Sequence, residues 1–335
     1  MTTRGAAVAG WGAYVPERIV TNDDLQASGL DTNDTWIRER TGISERRWVA
    51  DGETTSTMAI TAGGAAIKDA GLTPGDIDLV ILATTTPDQL VPAASAFVSD
   101  GLGLRCGSFD LNAACAGFAY SLVVASSLIA TGGVDTVLVI GSEVLSRFLN
   151  RDDRGTAILF GDGAGAAVLR ATTTTGPDAP GLLAWDLGCD GTGVHLIEIP
   201  AGGSRKPPSA ETVQTDEHFI HMQGNEVFRR AVRAVVDSVD ATLTRANVSA
   251  DAIDLFVPHQ ANVRIVDAVC SRVGIPMERT LVNIERYGNT SAASIPLALV
   301  EAAQAGRLQP GNLVLLSGFG AGMTWASALL RWGTP

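Results

Sequence analysis

The chain has 335 residues, of which 46% are hydrophobic, and it carries a formal net charge of -12. This length allows a large buried core and excludes a small domain held together by disulfides. The acidic balance argues against a nucleic-acid partner, because binding to phosphates relies mainly on Lys and Arg. Gly, Ser, Asp or Arg interrupts each apolar run before the roughly 18 to 20 residues that a membrane helix needs, so we expect no membrane partner.

The first residues and the cysteines indicate the compartment. The segment Gly5 to Trp11 is typical of a first strand rather than a secretory signal, because it is short and little positive charge precedes it. The four cysteines, at positions 106, 115, 189 and 270, have no CxxC spacing and therefore predict neither a zinc site nor a disulfide framework. We expect a cytoplasmic protein without a metal.

The two halves of the sequence resemble each other. Ala70 to Val80 matches Ala246 to Phe256 in spacing and character, with a helix end, a turn and an apolar strand in each. Further along, Gly161 to Leu169 parallels Gly318 to Leu330, where a glycine turn again precedes a strand. Self-similarity of this kind indicates a duplicated structural unit. We therefore predict two similar halves.

Buried strands alternate with helices in each half, which predicts an α/β fold of mainly parallel sheets covered by helices. The Thr-, Gly- and Pro-rich stretch from Ala171 to Pro180 predicts the connection between the halves. It divides the chain into residues 1–172 and 173–335. The strand patterns cover Asp78–Ala83, Thr136–Gly141, Leu255–Pro258 and Leu313–Ser317, and helix patterns include Thr57–Ala70 and Glu226–Arg245.

Cys115 is the first candidate for chemistry. It lies in Ala113-Ala-Cys-Ala-Gly-Phe118, where a strand pattern gives way through small residues to an apolar helix. A sulfur at a helix N-terminus meets unpaired backbone N–H groups and the positive end of the helix dipole, which favour the thiolate. A buried structural cysteine is the ordinary alternative, and we assign Cys106, Cys189 and Cys270 to that class.

His259 and Asn289 are the other two candidates. His259 follows a predicted core strand in Val257-Pro-His-Gln-Ala-Asn262, at the strand end where open α/β sheets bind ligands. Asn289 lies in Gly288-Asn-Thr-Ser-Ala-Ala-Ser294, which opens the repeat of the helix that Cys115 opens. The repeat therefore places Asn289 opposite Cys115 at the junction of the halves. Taken singly, a structural histidine and a helix N-cap are the alternatives.

The two glycine turns differ in what they can bind. Gly161-Asp-Gly-Ala-Gly165 is no dinucleotide fingerprint, because a strand follows it and the acidic ribose partner is missing. Gly318-Phe-Gly-Ala-Gly322 can aim a backbone N–H at a developing oxyanion, with the N–H of Cys115 as the second donor. Glycine in this turn permits a close approach of the main chain.

The three motifs around Cys115, His259 and Asn289 together resemble β-ketoacyl-acyl carrier protein synthase III, the initiating condensing enzyme of type II fatty acid synthesis. The resemblance implies a thiolase-like, five-layered αβαβα fold with duplicated halves, in a homodimer. It also implies condensation of an acyl-CoA with malonyl-acyl carrier protein and loss of carbon dioxide, with acyl-CoA as a substrate and no cofactor. The similarity runs nearly end to end and includes Thr35–Ile37, Arg40–Ile43, Asp153–Thr156, Phe160–Leu169 and Gly318–Trp325.

The resemblance assigns a role to each candidate. Cys115 takes the acyl group as a thioester, and His259 and Asn289 donate hydrogen bonds to the malonyl thioester carbonyl as carbon dioxide leaves. The backbone N–H groups of Cys115 and Ala321 hold the oxyanion at the acyl carbonyl. Neutral donors suit this chemistry, because the charge exists only in the transition state and the intermediate.

The resemblance also implies binding residues around this centre. Arg264 docks the acidic carrier protein at the tunnel mouth, where opposite charge favours encounter. Arg229, Arg230 and Arg233 are candidate helpers, with plain solvation as their alternative. Phe319 lines the acyl pocket, and Val91 caps it from the partner subunit. Coenzyme A is bound by Thr32, Trp36, Arg40, Arg154, Gly224, Asn225 and Asn262.

One departure from the family pattern leaves the starter acyl group open. Val91 stands where many members carry an aromatic residue or Thr, and a smaller side chain admits branched or longer acyl groups. The nearest alternatives keep the fold: a starter-unit ketosynthase of polyketide or other secondary metabolism, or an acyltransferase that never decarboxylates malonate. The intact His259 and Asn289 argue against the acyltransferase, and a non-catalytic partner would be expected to lack Cys115.

Overall fold

The computed structural model describes residues 4–172, 174, 176 and 178–335, so positions 173, 175 and 177 of the predicted connection lie outside the described residues. No helix in these ranges is long and apolar enough to cross a membrane. The strands are β1 (Gly5–Tyr14), β2 (Ile19–Thr21), β3 (Glu45–Arg47), β4 (Leu79–Ala83), β5 (Gly107–Leu111), β6 (Thr136–Glu143), β7 (Gly163–Thr172), β8 (Gly181–Cys189), β9 (Ile197–Glu198), β10 (His221–Met222), β11 (Leu255–Pro258), β12 (Leu313–Gly320) and β13 (Thr324–Arg331). The helices are α1 (Asn22–Ala27), α2 (Asp34–Thr41), α3 (Thr55–Asp69), α4 (Ala94–Gly101), α5 (Gly117–Ala130), α6 (Arg154–Ala157), α7 (Ala210–Gln214), α8 (Gly224–Ala246), α9 (Val263–Val273), α10 (Ile284–Tyr287) and α11 (Ser294–Gln304).

Two mixed sheets organise these elements. The first has the strand order β1-β7-β6-β4-β5, and the second has the order β11-β12-β13-β8. Strand β4 is parallel to β5 and β6, and β11 is parallel to β12, but β7 and β13 return antiparallel to their neighbours. The prediction of mainly parallel sheets is therefore correct for the pairs β4–β5, β4–β6 and β11–β12 and wrong for the pairs that β7 and β13 form. The turn between β12 and β13 is too short for the crossover that a parallel pair requires.

The second sheet repeats the first. Strands β11, β12, β13 and β8 follow the order and directions of β4, β6, β7 and β1. The counterpart of β5 is reduced to one parallel bridge between Phe256 and Thr280. Helix α5 precedes β6 as α11 precedes β12. The halves are therefore duplicated units, as their sequences predict.

Helices α5 and α11 form the central layer between the sheets. Phe118 and Leu122 of α5 share one core with Ile295 and Leu299 of α11 and with strands of both sheets. Both helices are apolar around most of their circumference, as a layer without a solvent face requires. Helices α3 and α4 cover the outer face of the first sheet, and α8 and α9 cover that of the second. The result is the thiolase-like αβαβα fold.

The central layer lies very close to the first sheet where α11 begins. A Cβ atom on Gly141 of β6 would lie only 2.3 Å from the backbone oxygen of Ala292, in the turn before α11. Real Cβ atoms do not approach a carbonyl oxygen this closely, and the neighbour is main chain that cannot rotate away. Glycine at this position is therefore required for the two halves to meet.

We expect Gly141→Ala to lower the free energy of unfolding by about 2 kcal/mol, in the range of overpacked cores, as measured by denaturant titration. Gly64→Ala in α3 is the matched control. The nearest atom to its added Cβ would be 3.4 Å away, and alanine is the better helix former. Equal losses of stability in both variants would contradict the proposed contact.

Candidate active site

One cavity of about 1010 Å³ brings the candidate residues together. Its lining runs from exposed side chains such as Arg229 and Arg264 to the buried His259 and Asn289. Cys115 also lines this cavity. Since the carboxyl ends of β4, β6, β11 and β12 all point to this region, the site sits where strands of both sheets end.

The turn before α5 positions Cys115. A 3₁₀ turn, Ala114–Ala116, leads directly into α5. Ala114 has a left-handed backbone (φ 47°), and its N–H donates to Oδ1 of Asn112 at 3.2 Å. The asparagine side chain thus stabilises a conformation that alanine rarely adopts. This turn places the sulfur at the entrance of the central helix.

The turn before α11 repeats this geometry around Asn289. Ser291 has φ 49°, and its N–H donates to Oδ1 of Asn289 at 2.9 Å. The N–H of Asn289 donates to the backbone oxygen of Leu159 at 2.8 Å, and the backbone oxygen of Asn289 accepts the N–H of Gly161 at 3.0 Å. Because Oδ1 is used within the turn, the Nδ2 hydrogens are the donors that the amide can offer to the cavity.

His259 is neutral and is oriented by Ser294. Its Nδ1 lies 2.6 Å from Ser294 Oγ, which also accepts the N–H of Gln260 at 3.4 Å. The serine hydroxyl therefore donates to Nδ1, which leaves the imidazole proton on Nε2. Burial lowers the pKa of His259 to about 3, and its buried Nε2 has no partner among the described residues. The ring consequently offers one neutral N–H donor to the cavity.

The Cys115 sulfur is a thiol rather than a thiolate in this site. Burial raises its pKa to about 12, and the nearby Glu143 carboxyl adds to the rise, while a hydrogen bond with Ser291 opposes it. Burial therefore opposes the stabilisation of the thiolate that we expect from the helix end.

Cys115 and Ala321 both line the cavity and each has a backbone N–H group. Ala321 lies in the turn between β12 and β13, and the preceding Gly320 packs so closely that a Cβ there would be 2.5 Å from the nitrogen of Cys115. Neither Cys115 nor Ala321 donates its N–H to an acceptor within the described ranges. Both are thus available to an oxygen bound in the cavity.

The residues expected to bind coenzyme A fall into two groups. Arg40 and Arg154 place their guanidinium carbons 4.3 Å and 4.5 Å from the ring centroid of Trp36. Arg154 also donates to the backbone oxygen of Asp31 at 2.8 Å, and neither it nor Thr32 lines the cavity. The residues of the expected set that do line it are Trp36, Arg40, Gly224, Asn225 and Asn262.

The four arginines expected at the mouth differ in their partners. Arg264 and Arg229 line the cavity, and Arg264 makes no ion pair in the part of the chain that the structure describes. Arg230 is paired with Glu226 and Asp190, and Arg233 lies 3.7 Å from Asp237. Of the acyl-pocket pair, Phe319 lines the cavity and Val91 is 82% exposed.

Comparisons with known proteins identify the family of this chain. Residues 109–191 match the family model for 3-oxoacyl-[acyl-carrier-protein (ACP)] synthase III, and residues 243–332 match the model for its C-terminal part. The chain is 48% identical over 329 residues to the β-ketoacyl-[acyl-carrier-protein] synthase III of Roseiflexus sp. (strain RS-1), which covers 98% of both proteins. The chain belongs to the 3-oxoacyl-[acyl-carrier-protein] synthase III family.

Solved structures of synthase III enzymes share this fold. The enzyme of Pseudomonas aeruginosa PAO1 is 42% identical, with a TM-score of 0.89 and 99% of each chain covered. The priming β-ketosynthase of the R1128 polyketide biosynthetic pathway is 36% identical, also with a TM-score of 0.89, over 99% of this chain and 98% of that chain. The protein is thus a condensing enzyme of the acyltransferase class with a thiolase-like fold.

Sequence reasoning missed three side chains of this synthase III site. Ser291 and Ser294 contact Cys115 and His259, and Glu143 is fully buried beside them. The internal repeat was the signal for Ser291, because it occupies the position of Ala114 in the second half. Glu143 lies at the end of a strand that otherwise reads as plain core, so no local pattern marked it.

The neutral state of His259 predicts a pH-dependent stability. Its pKa is about 3 in the folded protein and 6.5 as a free side chain, so the unfolded chain binds the extra proton between these values. Stability from this group is therefore present above pH 6.5 and is lost as the pH falls towards 3. Between pH 7.5 and pH 5 we expect it to lower the free energy of unfolding by about 2 kcal/mol.

Denaturant titration of wild type and His259→Gln at both pH values tests this expectation. The variant should lack that part of the acid-induced loss. His195→Gln is the control, because His195 is exposed, and it should lose as much stability as wild type. An equal loss in wild type and His259→Gln would contradict a buried, neutral imidazole.

Proposed function

We propose that this synthase III transfers an acyl group from acyl-CoA to Cys115 and condenses it with malonyl-acyl carrier protein, releasing carbon dioxide. The product is a β-ketoacyl-acyl carrier protein that initiates type II fatty acid synthesis. The observation that carries this proposal is the meeting of one thiol, two neutral side-chain donors and two backbone N–H groups in a single cavity. The groups that act in acyl transfer and in condensation are all side chains or backbone N–H groups of this chain.

Acyl transfer begins when the Cys115 sulfur attacks the thioester carbonyl of acyl-CoA. The backbone N–H groups of Cys115 and Ala321 hold the oxyanion that forms, since both residues line the cavity and neither N–H is donated to an acceptor among the described residues. Coenzyme A then leaves with its sulfur protonated, and the acyl group stays on Cys115 as a thioester. The following condensation uses the same two N–H groups at the acyl-Cys carbonyl.

Decarboxylation relies on His259 and Asn289. The Nε2–H of His259 and the Nδ2–H of Asn289 donate to the malonyl thioester oxygen, which becomes an enolate oxygen as carbon dioxide leaves. The neutral imidazole stabilises this charge without first having to lose a proton. The enolate carbon then attacks the acyl-Cys carbonyl, so that the new carbon–carbon bond forms and the carbon–sulfur bond to Cys115 breaks. Cys115 leaves as a thiolate and takes up one proton from solvent to return to the resting thiol.

The coenzyme A arm enters past the Trp36 cluster. An indole with two nearby guanidiniums suits an adenine and its phosphates, so Trp36, Arg40 and Arg154 bind that end. The pantetheine arm then follows the cavity to Cys115. Thr32, Gly224, Asn225 and Asn262 complete this channel.

We base the homodimer proposal on the edge of the first sheet, where strand β5 has a neighbouring strand on one side only. Strand β5 ends the first sheet, and an unpaired edge strand is a ready site for pairing with a second chain. Large apolar side chains are exposed along it and near it, which is typical of an interface. Val91, in the nearby loop, then reaches the acyl pocket of the partner subunit. The exposed residues are Leu90, Val91, Phe97 and Phe109.

The comparisons support fatty acid synthesis over polyketide priming. Relatives named β-ketoacyl-[acyl-carrier-protein] synthase III reach 47% to 48% identity, against 36% for the polyketide priming enzyme. We propose a cytoplasmic enzyme whose catalytic thiol comes from residues 1–172 and whose His and Asn come from residues 173–335. The small Val91 side chain favours branched or longer starters.

Intact-protein mass spectrometry tests the proposed function directly. We expect wild type to gain the mass of the acyl group from one member of an acyl-CoA panel and to lose it when malonyl-acyl carrier protein is added. Cys115→Ala should gain nothing. A wild-type protein that never loads an acyl group on Cys115 would refute the condensing assignment.

The donor roles predict a different result for His259→Ala and Asn289→Ala. Both variants should still load the acyl group, but condensation should slow by about 10²-fold or more, because each lacks one enolate donor. Single-turnover release of the β-ketoacyl product from preloaded enzyme measures this. Unimpaired condensation in both variants would contradict the proposed donor roles of His259 and Asn289.

Carrier-protein docking predicts an effect of Arg264→Glu. The KM for malonyl-acyl carrier protein should rise at least about tenfold, because the charge facing the acidic partner is reversed, whereas loading from acyl-CoA should change less. Arg272→Glu makes the same charge change at the far end of α9, where the side chain is exposed, and should leave this KM unchanged. Equal effects of the two variants would argue against a docking role.

A further inference from the structure

Glu143 is a buried carboxyl beside the nucleophile that the mechanism above leaves unused. It is the last residue of β6 and is fully buried. No Arg, Lys or His within the described ranges forms an ion pair with it. A buried acidic group without a cation is costly in free energy, so its presence beside a reactive thiol needs an explanation.

Hydroxyl groups surround this carboxyl. The hydroxyls of Thr84, Thr85 and Thr86 donate to its oxygens at 3.3, 3.0 and 2.6 Å, and the N–H of Thr85 donates at 3.1 Å. All three threonines follow directly after β4. Burial raises the pKa of Glu143, while these hydrogen bonds lower it. These donors thus stabilise the negative charge of the carboxylate in place of a cation.

Ser291 joins this carboxyl to the nucleophile. Its hydroxyl donates to Oε1 of Glu143 at 3.0 Å and lies close enough to the Cys115 thiol to lower the pKa of that thiol. The left-handed turn before α11 holds the serine there. Ser291 therefore stands between the Cys115 sulfur and Glu143, where its hydroxyl can relay a proton from one to the other.

We propose that Glu143 accepts the Cys115 proton through the Ser291 hydroxyl during acyl loading. A bare thiolate would add a second negative charge beside the carboxylate in a buried site. Transfer of the proton to Glu143 instead moves one charge over a short distance and leaves the total unchanged. This inference rests on the proposed function, because it concerns the acyl transfer to Cys115.

The step balances without another reactant. As the sulfur–carbon bond to the acyl group forms, the thiol proton passes to the Ser291 oxygen and the Ser291 proton passes to Oε1 of Glu143. When the bond between the acyl carbon and the coenzyme A sulfur breaks, the proton returns by the same path to that sulfur. Glu143 is then again a carboxylate, and coenzyme A leaves as a thiol.

The other charged groups near this path do not replace Glu143. His259 is the titratable group at the end of β11, and its low pKa keeps it neutral. The turns that begin α5 and α11 and the strand end of β12 present Cys115, Ser291 and Gly320 to the site and carry no further acid or base. Arg40, Glu198, Arg229 and Arg264 are the remaining charged residues of the cavity lining.

The pH profile of acyl loading tests the inference, measured by rapid quench and intact mass. Wild type should load at a nearly constant rate between pH 7 and pH 9, because its base is internal. Glu143→Gln should be slower by about 10²-fold at pH 7, the usual contribution of a general base. Its rate should rise steadily with pH, because the proton must then go to solvent.

Three further variants keep the test decisive. Ser291→Ala should behave like Glu143→Gln and should fold, since Ala114 shows that alanine adopts the same backbone in the twin turn. Glu143→Asp should keep the flat profile. Asp162→Asn alters another fully buried carboxyl, one that accepts from Ser146 and the N–H of Val49 rather than from the site, and should retain the wild-type profile.

Condensation from preloaded enzyme separates proton transfer from structural damage. Glu143→Gln that is loaded slowly to completion should condense within about threefold of wild type, since no thiol is deprotonated in that step. If Glu143→Gln loads at the wild-type rate, or if loading and condensation fall equally, the inference is wrong. If wild type itself never loads, the proposed function fails instead.

Discussion

The close contact between the turns that begin α5 and α11 is the constraint on which the site depends. Each turn contains one left-handed residue, Ala114 or Ser291, whose N–H is held by an asparagine two positions earlier. The turn before α11 also packs against β6 so closely that glycine is required at position 141, because the main chain of Ala292 fills the space beside it. Since both central helices begin at this junction, the thiol of one half and the amide of the other open into the same cavity.

Burial of this junction decides the chemistry. The same loss of water raises the pKa of the Cys115 thiol and lowers that of His259. A neutral imidazole is what an enolate donor needs, whereas a neutral thiol is a poor nucleophile. The same burial thus favours the condensation and hinders the acyl loading. In our proposal, Glu143 is the base for acyl loading, and it receives the Cys115 proton through Ser291 without adding charge to the site.

Charge is divided between the interior and the mouth of the cavity. The protein is acidic overall, yet exposed arginines on α8 and α9 line the opening. Arg230 and Arg233 are paired with carboxylates of their own surroundings, whereas Arg264 makes no ion pair among the described residues. Among the arginines of α8 and α9 that line the cavity, Arg264 is therefore the one whose charge is not neutralised by an ion pair in the described part of the chain.

The sequence by itself determined the α/β class, the duplication and the three candidate residues, because periodicity and short motifs are local properties of the chain. Only the tertiary structure decided that β7 and β13 run antiparallel, that Cys115 is a thiol at rest, and that Ser294 orients His259. The protonation states depend on how much water the folded protein excludes. Glu143 and Ser291 lie far apart in the sequence and meet only when the halves pack, so no pattern within either half can reveal them.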